Sequence, residues 1–370
     1  MEIRIVTITT VVVVAALLPV VRSAPQQVPC FFIFGDSLND CGNNNDLDTV
    51  AKANYKPYGI DYPGGPTGRF TNGKTIVDFL AEDLGFDKPI SPFTTAKGDD
   101  ILRGVNYASG SAGILDDSGS HLGRNVPLGK QVDNHKVTFT KIAAMKGNNE
   151  SATAHLNTCL YYMGIGSNDY LNNYFVPDHY DSGKRFTVLA FATQLVSVYN
   201  EKIRTLYQYG ARKIVVVGLG KIGCVPYTMK LFGTNGMNCV ESSNSAAKAF
   251  NMQLQKLVVR LNLEIKDAKF IFVNTFGMGD GDPKLLGFEV MNKGCCESRA
   301  DGQCAEGQVP CGNRGKYIFW DSFHPTEPLN KATAARTYKS FTPTDNDPFD
   351  IQSLVTLNIG KLLQAIYLYT

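Results

Sequence analysis

Short apolar segments alternate with long helical patterns along this chain, and no other feature of the sequence constrains the fold as strongly. Five mostly apolar runs, each ending in small or polar residues, lie at 31–34, 104–108, 159–164, 213–218 and 269–274. Short runs of this kind, separated by helices, are typical of parallel strands that are buried on both faces of a sheet. The sequence therefore predicts an α/β fold built on a five-stranded parallel sheet.

The segments between and after these runs carry apolar residues at helical spacing. Helices are predicted at 75–84, 132–144, 186–209, 243–266, 326–339 and 351–368. No linker or internal repeat divides the chain, and its 370 residues with 44% hydrophobic content hold enough apolar surface for one large domain. We therefore expect a single domain.

The N-terminus has the pattern of a secretory signal peptide. Residues 5–21 are almost wholly apolar, Arg4 precedes them, and small residues near Ser23 suit cleavage. A retained membrane anchor is the alternative, because about 17 apolar residues is the lower limit for crossing a bilayer. No basic cluster or stop-transfer pattern follows, so we favour cleavage and predict a signal peptide at 1–23 and a mature secreted domain at 24–370.

The charges of the mature chain are nearly balanced. The whole sequence has 36 basic and 34 acidic residues, and removing Glu2, Arg4 and Arg22 with the signal peptide leaves a net charge of +1. This balance gives no electrostatic case for a nucleic-acid partner, and no motif implies a protein partner. One glycosylation sequon begins at Asn149, in a polar stretch typical of a surface loop.

Nine cysteines, all in the mature part, indicate disulfides, because the extracellular compartment is oxidising. Four of them lie within seventeen residues and indicate a loop closed by disulfides: Cys295, Cys296, Cys304 and Cys311. Zinc is the alternative, but adjacent cysteines are awkward tetrahedral ligands and no histidine lies among them. The odd number leaves at least one thiol free or paired outside the chain.

The first apolar run leads directly into a candidate nucleophile. Phe31–Phe34 is followed by Gly35, Asp36 and Ser37, and then by a run rich in Asn and Gly. Open α/β sheets place their functional groups at the C-terminal ends of the strands, so Ser37 has the position of a nucleophile. A lone Gly-Asp-Ser is more often an Asx-rich turn, so the assignment depends on partners elsewhere in the chain.

Three later segments offer such partners. The second run is followed by small residues around Gly110, whose backbone can approach a ligand closely or allow a helix to pack against a strand. The third run is followed by Asn168, whose amide can donate a hydrogen bond to a ligand or cap a helix. Asp321 lies three residues before His324, where a carboxylate can fix the imidazole tautomer and stabilise an imidazolium. The remaining histidines are interpreted as surface or loop residues: His121, His135, His155 and His179.

The fourth run ends in Gly218-Leu-Gly-Lys-Ile-Gly223, which has the spacing of a dinucleotide-binding motif. Such a site needs a helix that begins within the motif. Cys224-Val-Pro226 and the residues Gly233, Asn235 and Gly236 interrupt a helix there. Neither a dinucleotide nor any other cofactor is therefore predicted.

Four blocks of the sequence together resemble a known family. They are Phe34-Gly-Asp-Ser-Leu38, Gly104-Val-Asn-Tyr-Ala-Ser-Gly110, Gly164-Ile-Gly-Ser-Asn-Asp169 and Phe319-Trp-Asp-Ser-Phe-His-Pro-Thr-Glu327. With these blocks in this order, the chain resembles the plant GDSL-type esterases and lipases of the SGNH hydrolase superfamily over nearly its whole mature length. The resemblance implies a flavodoxin-like three-layer α/β/α sandwich, which agrees with the strand pattern.

The resemblance also implies a role for each matching residue. Ser37 is the nucleophile, His324 the general base and Asp321 its orienting partner. The oxyanion is held by the backbone N–H groups of Ser37 and Gly110 and by the side chain of Asn168. The implied enzyme hydrolyses carboxylic esters through an acyl-enzyme in the apoplast or cell wall, without a metal or cofactor. An acyltransferase with the same triad and a catalytically silent secreted binding protein are the alternatives.

Two departures from the family pattern lie near the implied site. Leu219-Gly-Lys221 stands where prolines are usual, and Pro328-Leu329 replaces a pair that typically contains alanine; both are expected to reshape loops. Cys30 and Cys41 flank the nucleophile and are a candidate disulfide pair.

The family acts on lipids, polyesters, acetylated polysaccharides and small esters. The segment Tyr170–Phe175 suits either an apolar acyl pocket or core packing.

Overall fold

A central five-stranded sheet organises the computed structural model, which describes residues 25–233 and 237–357. The strand order is β1-β2-β3-β4-β7, and the strands are β1 (Phe31–Gly35), β2 (Leu160–Gly164), β3 (Lys213–Val217), β4 (Lys269–Val273) and β7 (Asn346–Asp347). Strands β1 to β4 are parallel and β7 pairs antiparallel with β4. The predicted signal peptide at 1–23 lies outside the described residues.

Helices cover the sheet and connect its strands. The helices are α1 (Ile76–Asp83), α2 (Asp100–Arg103), α3 (Leu128–Lys146), α4 (Asn149–Leu156), α5 (Ser167–Asp169), α6 (Ser182–Arg185), α7 (Val188–Gln208), α8 (Pro226–Leu231), α9 (Glu241–Glu264), α10 (Thr275–Met278), α11 (Glu327–Tyr338) and α12 (Ile351–Thr356). A second small sheet pairs β5 (Val290–Gly294) with β6 (Tyr317–Phe319). No helix in the described ranges combines the length and the apolar character needed to cross a bilayer.

The alternation of side chains along each strand divides the core into two layers. In β1, Phe32 and Phe34 pack into one apolar cluster with α3, α7 and α9, whereas Phe31 and Ile33 pack into the other with α1, α11 and α12. Successive strand residues point to opposite faces, so a strand that is apolar throughout needs helices on both sides. This arrangement is the three-layer α/β/α sandwich that the sequence predicts.

The predicted second strand, 104–108, differs from the expectation. It runs parallel to β1, and the Ile33 N–H donates to Val105 O at 3.0 Å while the Tyr107 N–H donates to Ile33 O at 2.8 Å. In this segment only Asn106 forms bridges, however, one with Ile33 and one with Pro92, so the segment is not a regular strand. A Cβ at Gly104 would lie 2.0 Å from Phe31 O, so glycine is required where the chain meets β1. The fifth strand of the sheet is instead the antiparallel β7.

Most predicted helices are present with shifted ends. The last one, predicted at 351–368, ends at Thr356 because Leu357 has an extended backbone, and the positions beyond Leu357 lie outside the described residues. Asn149 is exposed, as expected for a glycosylation site, but it begins α4 instead of lying in a loop. Its neighbour Asn148 caps that helix by accepting from the Ser151 N–H at 2.7 Å.

Candidate active site

Strand β1 ends in a tight turn that presents Ser37. Asp36 forms this turn with two of its oxygens: Oδ1 accepts from the Leu38 N–H and the backbone oxygen accepts from the Asn39 N–H, each at 3.0 Å. A Cβ at Gly35 would lie 2.5 Å from Asn39 Nδ2, so glycine is needed immediately before the turn. The Asx turn that the sequence predicts for Gly-Asp-Ser is therefore present, and it leaves Ser37 half-buried at its tip.

Ser37, His324 and Asp321 form one hydrogen-bonded chain. His324 Nε2 lies 2.7 Å from Ser37 Oγ, and His324 Nδ1 lies 2.7 Å from Asp321 Oδ2. Asp321 Oδ1 accepts from the backbone N–H groups of Phe323 and His324 at 2.8 Å each. Asp321 has no solvent exposure and His324 only 6%, so the pair is held away from water in one orientation. The structure thus brings together the three residues that the sequence assigns to a triad.

A tight turn after β6 sets the spacing of Asp321 and His324. The Trp320 N–H donates to His324 O at 2.7 Å, and the Thr326 N–H donates to Ile318 O at 2.9 Å. Trp320 itself is completely buried and anchors the turn in a small apolar cluster. The three-residue spacing in the sequence therefore places a carboxylate beside the imidazole because the chain reverses there.

Tyr58 extends the chain behind Asp321, and the sequence analysis assigned it no role. Its hydroxyl donates to Asp321 Oδ2 at 2.6 Å and accepts from the Cys304 N–H at 3.1 Å. Tyr58 is fully buried, and burial together with the neighbouring Asp321 raises its pKa well above the usual value. The signal available in the sequence was the glycine- and proline-rich aromatic segment around Tyr58, whose aromatic residues need burial.

Two of the proposed oxyanion donors differ in whether they are already hydrogen-bonded within the protein. Asn168 Nδ2 donates one hydrogen bond to Ala112 O at 2.9 Å, and its Oδ1 accepts from Asn172 Nδ2 at 2.6 Å, so one amide hydrogen remains to donate. The N–H of Gly110, in contrast, donates to Asp40 Oδ2 at 3.0 Å. The N–H of Gly110, which the family resemblance assigns to the oxyanion, is thus already hydrogen-bonded within the protein.

The polar run after Ser37 is the scaffold of this region. Asp40 Oδ1 accepts from the N–H groups of Gly42 and Asn43 at 2.8 Å each. Asn43 Nδ2 donates to the backbone oxygens of two residues in the block that ends at Gly110, and Asn44 Nδ2 donates to Gly110 O at 2.9 Å. These bonds tie the segment after β1 to the segment beside it, so the asparagines shape loops instead of acting in catalysis.

Buried carboxyl groups near the site have raised pKa values. Burial raises the pKa of Asp36 to about 7, against the lowering effect of the Leu38 N–H and of His324. Burial also raises the pKa values of Asp40 and Asp169 to about 6 each, although backbone N–H groups donate to both. The site is therefore surrounded by carboxyl groups that ionise less readily than they do in water.

Ser37, Asn168 and His324 open onto a large cleft of about 1870 Å³. Much of its wall is apolar, formed by Leu171, Phe175, Leu219, Met229, Phe323 and Leu329 among others. Both readings of the segment 170–175 hold, because Tyr170 is buried in the core while Leu171 and Phe175 line the cleft. Leu219 and Leu329 belong to the two departures from the family pattern, so both departures contribute to this wall.

The expectation that the other histidines lie at the surface is wrong for His135. His135 lies on α3 and is fully buried, where its ring packs edge-on against Phe32, Phe34 and Tyr161. Its Nδ1 lies 3.1 Å from the Tyr107 hydroxyl, and burial lowers its pKa to about 3. The neutral ring thus packs in the aromatic core with Nδ1 paired to Tyr107 and Nε2 without a partner among the described residues, which helical periodicity alone does not reveal.

The cysteine connectivity corrects one prediction and confirms another. Cys30 pairs with Cys159, not with Cys41, because parallel pairing of β1 and β2 sets the starts of the two strands side by side while Cys41 lies beyond the other end of β1. Cys41 is free and buried, and burial raises the pKa of its thiol. The predicted disulfide-closed loop is confirmed; its bonds are Cys295–Cys311 and Cys296–Cys304.

The remaining disulfide lies beside the cleft, and the candidate metal group contains a disulfide. Cys224 pairs with Cys239 next to the cleft. Within the described ranges, Cys30, Cys159 and His155 form the one group with the spacing of a metal site. Two of these residues are joined to each other as a disulfide, so they offer no thiolate to a metal.

The glycine-rich segment Gly218–Gly223 does not begin a long helix. A single 3₁₀ turn, Ile222–Cys224, overlaps its last two residues, and the six-residue helix α8 begins at Pro226 after the motif has ended. The predicted interruption is therefore present, but Pro226 opens a short helix instead of preventing one, because its fixed φ suits the first helical position. The arrangement differs from that of a dinucleotide site, in which the helix starts inside the motif.

Comparison with known proteins identifies the family. The GDSL-like lipase/acylhydrolase family matches residues 31–337. A GDSL esterase/lipase of Arabidopsis thaliana is 45% identical over 356 residues, covering 95% of this chain and 98% of the relative. Two others from the same plant are 46% identical, over 335 and 340 residues, with about nine-tenths of each chain covered. The chain therefore belongs to the GDSL-like lipase/acylhydrolase family and is a carboxylic ester hydrolase.

Proposed function

We propose that this chain is a secreted serine esterase that acts through Ser37, His324 and Asp321. The observation that carries the proposal is the continuous hydrogen-bonded chain from Ser37 Oγ through His324 to Asp321, with 2.7 Å at each step. A nucleophile and a base within such reach of each other, with the base oriented by a third group, form the usual arrangement for nucleophilic catalysis. The Ser37 end of this hydrogen-bonded row opens onto the large cleft, where an ester can approach.

The mechanism follows from these positions. Ser37 Oγ attacks the ester carbonyl as His324 Nε2 takes its proton, and the Asp321 carboxylate stabilises the resulting imidazolium. The oxyanion collapses, the C–O bond breaks, and His324 returns the proton to the leaving alcohol. Water then gives a proton to His324 Nε2 as its oxygen attacks the acyl carbon; the bond from that carbon to Ser37 Oγ breaks, His324 returns the proton to Ser37 Oγ, and the carboxylic acid leaves. The side chain of Asn168 and the N–H of Ser37 stabilise the oxyanion in both steps.

The wall of the cleft supports an ester with an apolar acyl group. Leu171, Phe175, Leu219 and Phe323 lie along the same cleft as Ser37. Burying apolar carbons against such side chains removes them from water and favours binding. The substrate class is therefore a lipid ester or another ester of an apolar acid.

Secretion is part of the same proposal. The N-terminal segment 1–23 has the composition of a signal peptide, and four disulfides are typical of proteins outside the cell. We place the mature enzyme, one hydrolase domain from Ala24 to Thr370, in the apoplast or cell wall. The exposed Asn149 is the proposed glycosylation site.

Two substitutions test the catalytic assignment on the secreted protein. Ser37→Ala is expected to abolish hydrolysis of p-nitrophenyl esters and labelling by a fluorophosphonate probe. Asn168→Ala is expected to lower kcat by about 10²–10³ if it is one of several oxyanion donors. Ser322→Ala is the matched control, because Ser322 neighbours Asp321 but its hydroxyl bonds Ser298 instead of a residue of the proposed triad. Full activity of Ser37→Ala, with folding confirmed by its unfolding temperature, would overturn the assignment.

A further inference from the structure

Large apolar side chains are exposed around the opening of the cleft. Within the described ranges, fifteen such side chains are exposed, and six of these also line the cleft. The six are Leu231, Phe232, Met237, Leu285, Leu286 and Phe341. A side chain that is exposed and also lines the cleft lies where the cleft opens to solvent, so these six residues form what we call the cleft rim. Apolar groups gathered at a protein surface mark sites of interaction.

One part of the cleft rim is the end of helix α8. Met229 is buried and holds this short helix against the protein, whereas Leu231 and Phe232 at its end are exposed. The Cys224–Cys239 disulfide joins the chain before α8 to the chain after it. The two exposed side chains therefore extend from a fixed base.

A second part of the cleft rim is the 3₁₀ turn Pro283–Leu286. Asp282 begins this turn, because its Oδ1 accepts from the Lys284 N–H at 3.0 Å. Phe288 follows the turn and is buried, while the last two residues of the turn are exposed leucines. Strand β5 comes directly after this segment and packs against α8, so the two exposed apolar pairs belong to neighbouring elements.

A lysine precedes each of these apolar pairs, in Lys230-Leu-Phe232 and Lys284-Leu-Leu286. Both lysines are exposed, and neither forms an ion pair within the part of the chain that the structure describes. Of the nearby carboxylates, Asp280 pairs with Lys221 and Asp282 caps the turn. Apolar side chains next to lysines are typical of surfaces that lie in a lipid headgroup layer, where the apolar groups enter the acyl region and the cations meet phosphates.

We propose that the cleft rim docks the protein on a phospholipid surface, with its apolar side chains among the acyl chains and Lys230 and Lys284 at the phosphates. This inference rests on the proposed function, because docking brings an ester of that surface to Ser37. A second copy of the chain on the rim would cover the opening of the cleft, whereas a lipid surface supplies the ester through that opening. Each large apolar side chain that leaves water on docking favours the bound state.

Vesicles of ether-linked phospholipids test docking separately from hydrolysis, because their acyl-like chains are not held by esters. We expect the secreted protein to sediment with vesicles of ether-linked phosphatidylcholine and phosphatidylglycerol at about 4:1. Leu285→Asp should lower the partition coefficient by about tenfold, because it places a charge where an apolar side chain enters the lipid. Leu263→Asp, at an exposed position of α9 outside the cleft, is the matched control and should stay within about twofold of the native value. Equal losses in the two variants would overturn the inference.

The lysines are tested by Lys284→Gln. It should weaken binding to the same vesicles by about fivefold, since a lysine near an anionic lipid surface contributes about that factor. Lys284 does not line the cleft, so hydrolysis of the soluble ester p-nitrophenyl acetate should be unchanged. Unchanged vesicle binding would contradict the placement of this lysine at the phosphates.

Hydrogen exchange of the native protein provides a measurement that needs no variant. Vesicles are expected to slow exchange in α8 and in the turn Pro283–Leu286, and protection confined to other segments would refute the docking surface. A dimer that dissociates on Leu285→Asp would show that a second copy covers the cleft rim, which also contradicts the inference. A protein that hydrolyses p-nitrophenyl esters but does not bind vesicles would overturn only the docking, whereas a vesicle-bound protein without esterase activity would overturn the proposed function.

Discussion

The Tyr58 hydroxyl donates a hydrogen bond of 2.6 Å to Asp321 Oδ2, the same oxygen that faces His324 Nδ1. The hydroxyl in turn accepts from the Cys304 N–H, and Cys304 is joined to Cys296 by a disulfide. Tyr58 therefore connects the orienting carboxylate to the disulfide-closed loop. It touches no reacting atom, so we regard it as a positioning residue.

Tyr58→Phe is expected to lower kcat by about tenfold and to leave KM nearly unchanged. The substitution removes one donor from a buried carboxylate and leaves the Cys304 N–H without its acceptor, so we also expect a loss of about 1–3 kcal/mol in the free energy of unfolding. The Asp321 carboxylate then lacks one of the donors that stabilise its charge and relies more on His324. The acid limb of the pH profile of kcat/KM should therefore shift. Enzyme kinetics from pH 4 to 9 provide the measurement.

Tyr55→Phe is the matched control for Tyr58→Phe. The Tyr55 hydroxyl donates to Cys304 O at 2.9 Å, and its ring packs edge-on against Tyr58, but it makes no bond to Asp321. We expect a comparable loss of stability with an unchanged pH profile. Identical profiles for the two variants would mean that Tyr58 has only a structural role.

Loss of the Cys30–Cys159 disulfide is expected to lower stability more than loss of Cys296–Cys304, whereas loss of Cys296–Cys304 is expected to lower activity more. Cys30–Cys159 lies at the start of β1 and closes a separation of 129 residues, whereas Cys296–Cys304 lies behind the site and closes a separation of 8. Chain-entropy estimates give about 5 kcal/mol for the first and about 2.5 kcal/mol for the second. Replacing the first pair with serine should therefore cost more stability, while replacing the second should cost more kcat per folded molecule. Urea unfolding and active-site titration measure the two effects; equal kcat values would contradict the coupling of the loop to Tyr58.

Stability should fall as the pH rises from 5 to 8. The pKa of Asp36 is raised by burial from the ordinary 3.8 to about 7 in the folded protein, so the folded state binds this proton more tightly than the unfolded state. The contribution is full below about pH 4 and is lost as the pH rises through about 7. Asp40 and Asp169, raised to about 6, act in the same direction. Thermal unfolding temperatures at pH 5 and pH 8 give the measurement.

Asp36→Asn should reduce that difference in unfolding temperature, because its amide oxygen keeps the hydrogen bond from Leu38 but carries no charge. Asp133→Asn alters an exposed carboxylate paired with Lys136 and is expected to keep the native difference. The assignment to Asp36 would not survive if both variants showed the same drop between the two pH values.

Activity should rise with the length of the acyl chain. Each methylene that becomes buried in the cleft contributes about 0.8 kcal/mol, or roughly fourfold in kcat/KM, until the cleft is filled. Leu171→Asp places a charge on the wall of the cleft and is expected to reduce hydrolysis of the dodecanoyl ester at least tenfold while sparing the acetyl ester. Leu189→Asp, on an exposed part of α7 away from the cleft, is the control. A flat series of p-nitrophenyl esters would refute the apolar acyl site.

Much of the proposed site was predictable because its chemistry lies in short blocks. Ser37 follows an apolar strand, and Asp321 lies three residues before His324, so local spacing was enough to suggest each role. The hydrogen bond from the Gly110 N–H to Asp40 was not predictable from the sequence, because the direction of an N–H depends on φ and ψ. The positive φ of Ser111, 62°, likewise depends on residues from other loops.

Other features depend on contacts between distant segments. Tyr58 and Asp321 are 263 residues apart, and nothing near Tyr58 in the sequence indicates that contact. The partner of Cys30 follows from the order of strands in the sheet, which the nine cysteines alone do not determine. His135 looked exposed because its helix is polar on the other face, whereas its own position faces the aromatic core.

Ser37 and His324 are separated by 287 residues, which has a consequence for biosynthesis. Ser37 leaves the ribosome when most of the chain remains to be translated, whereas His324, its base in the proposed mechanism, emerges only near the end. Incomplete or prematurely terminated products therefore contain the nucleophile without its base. In the proposed mechanism, therefore, ester hydrolysis begins only after His324 has been synthesised and the fold has brought it to Ser37.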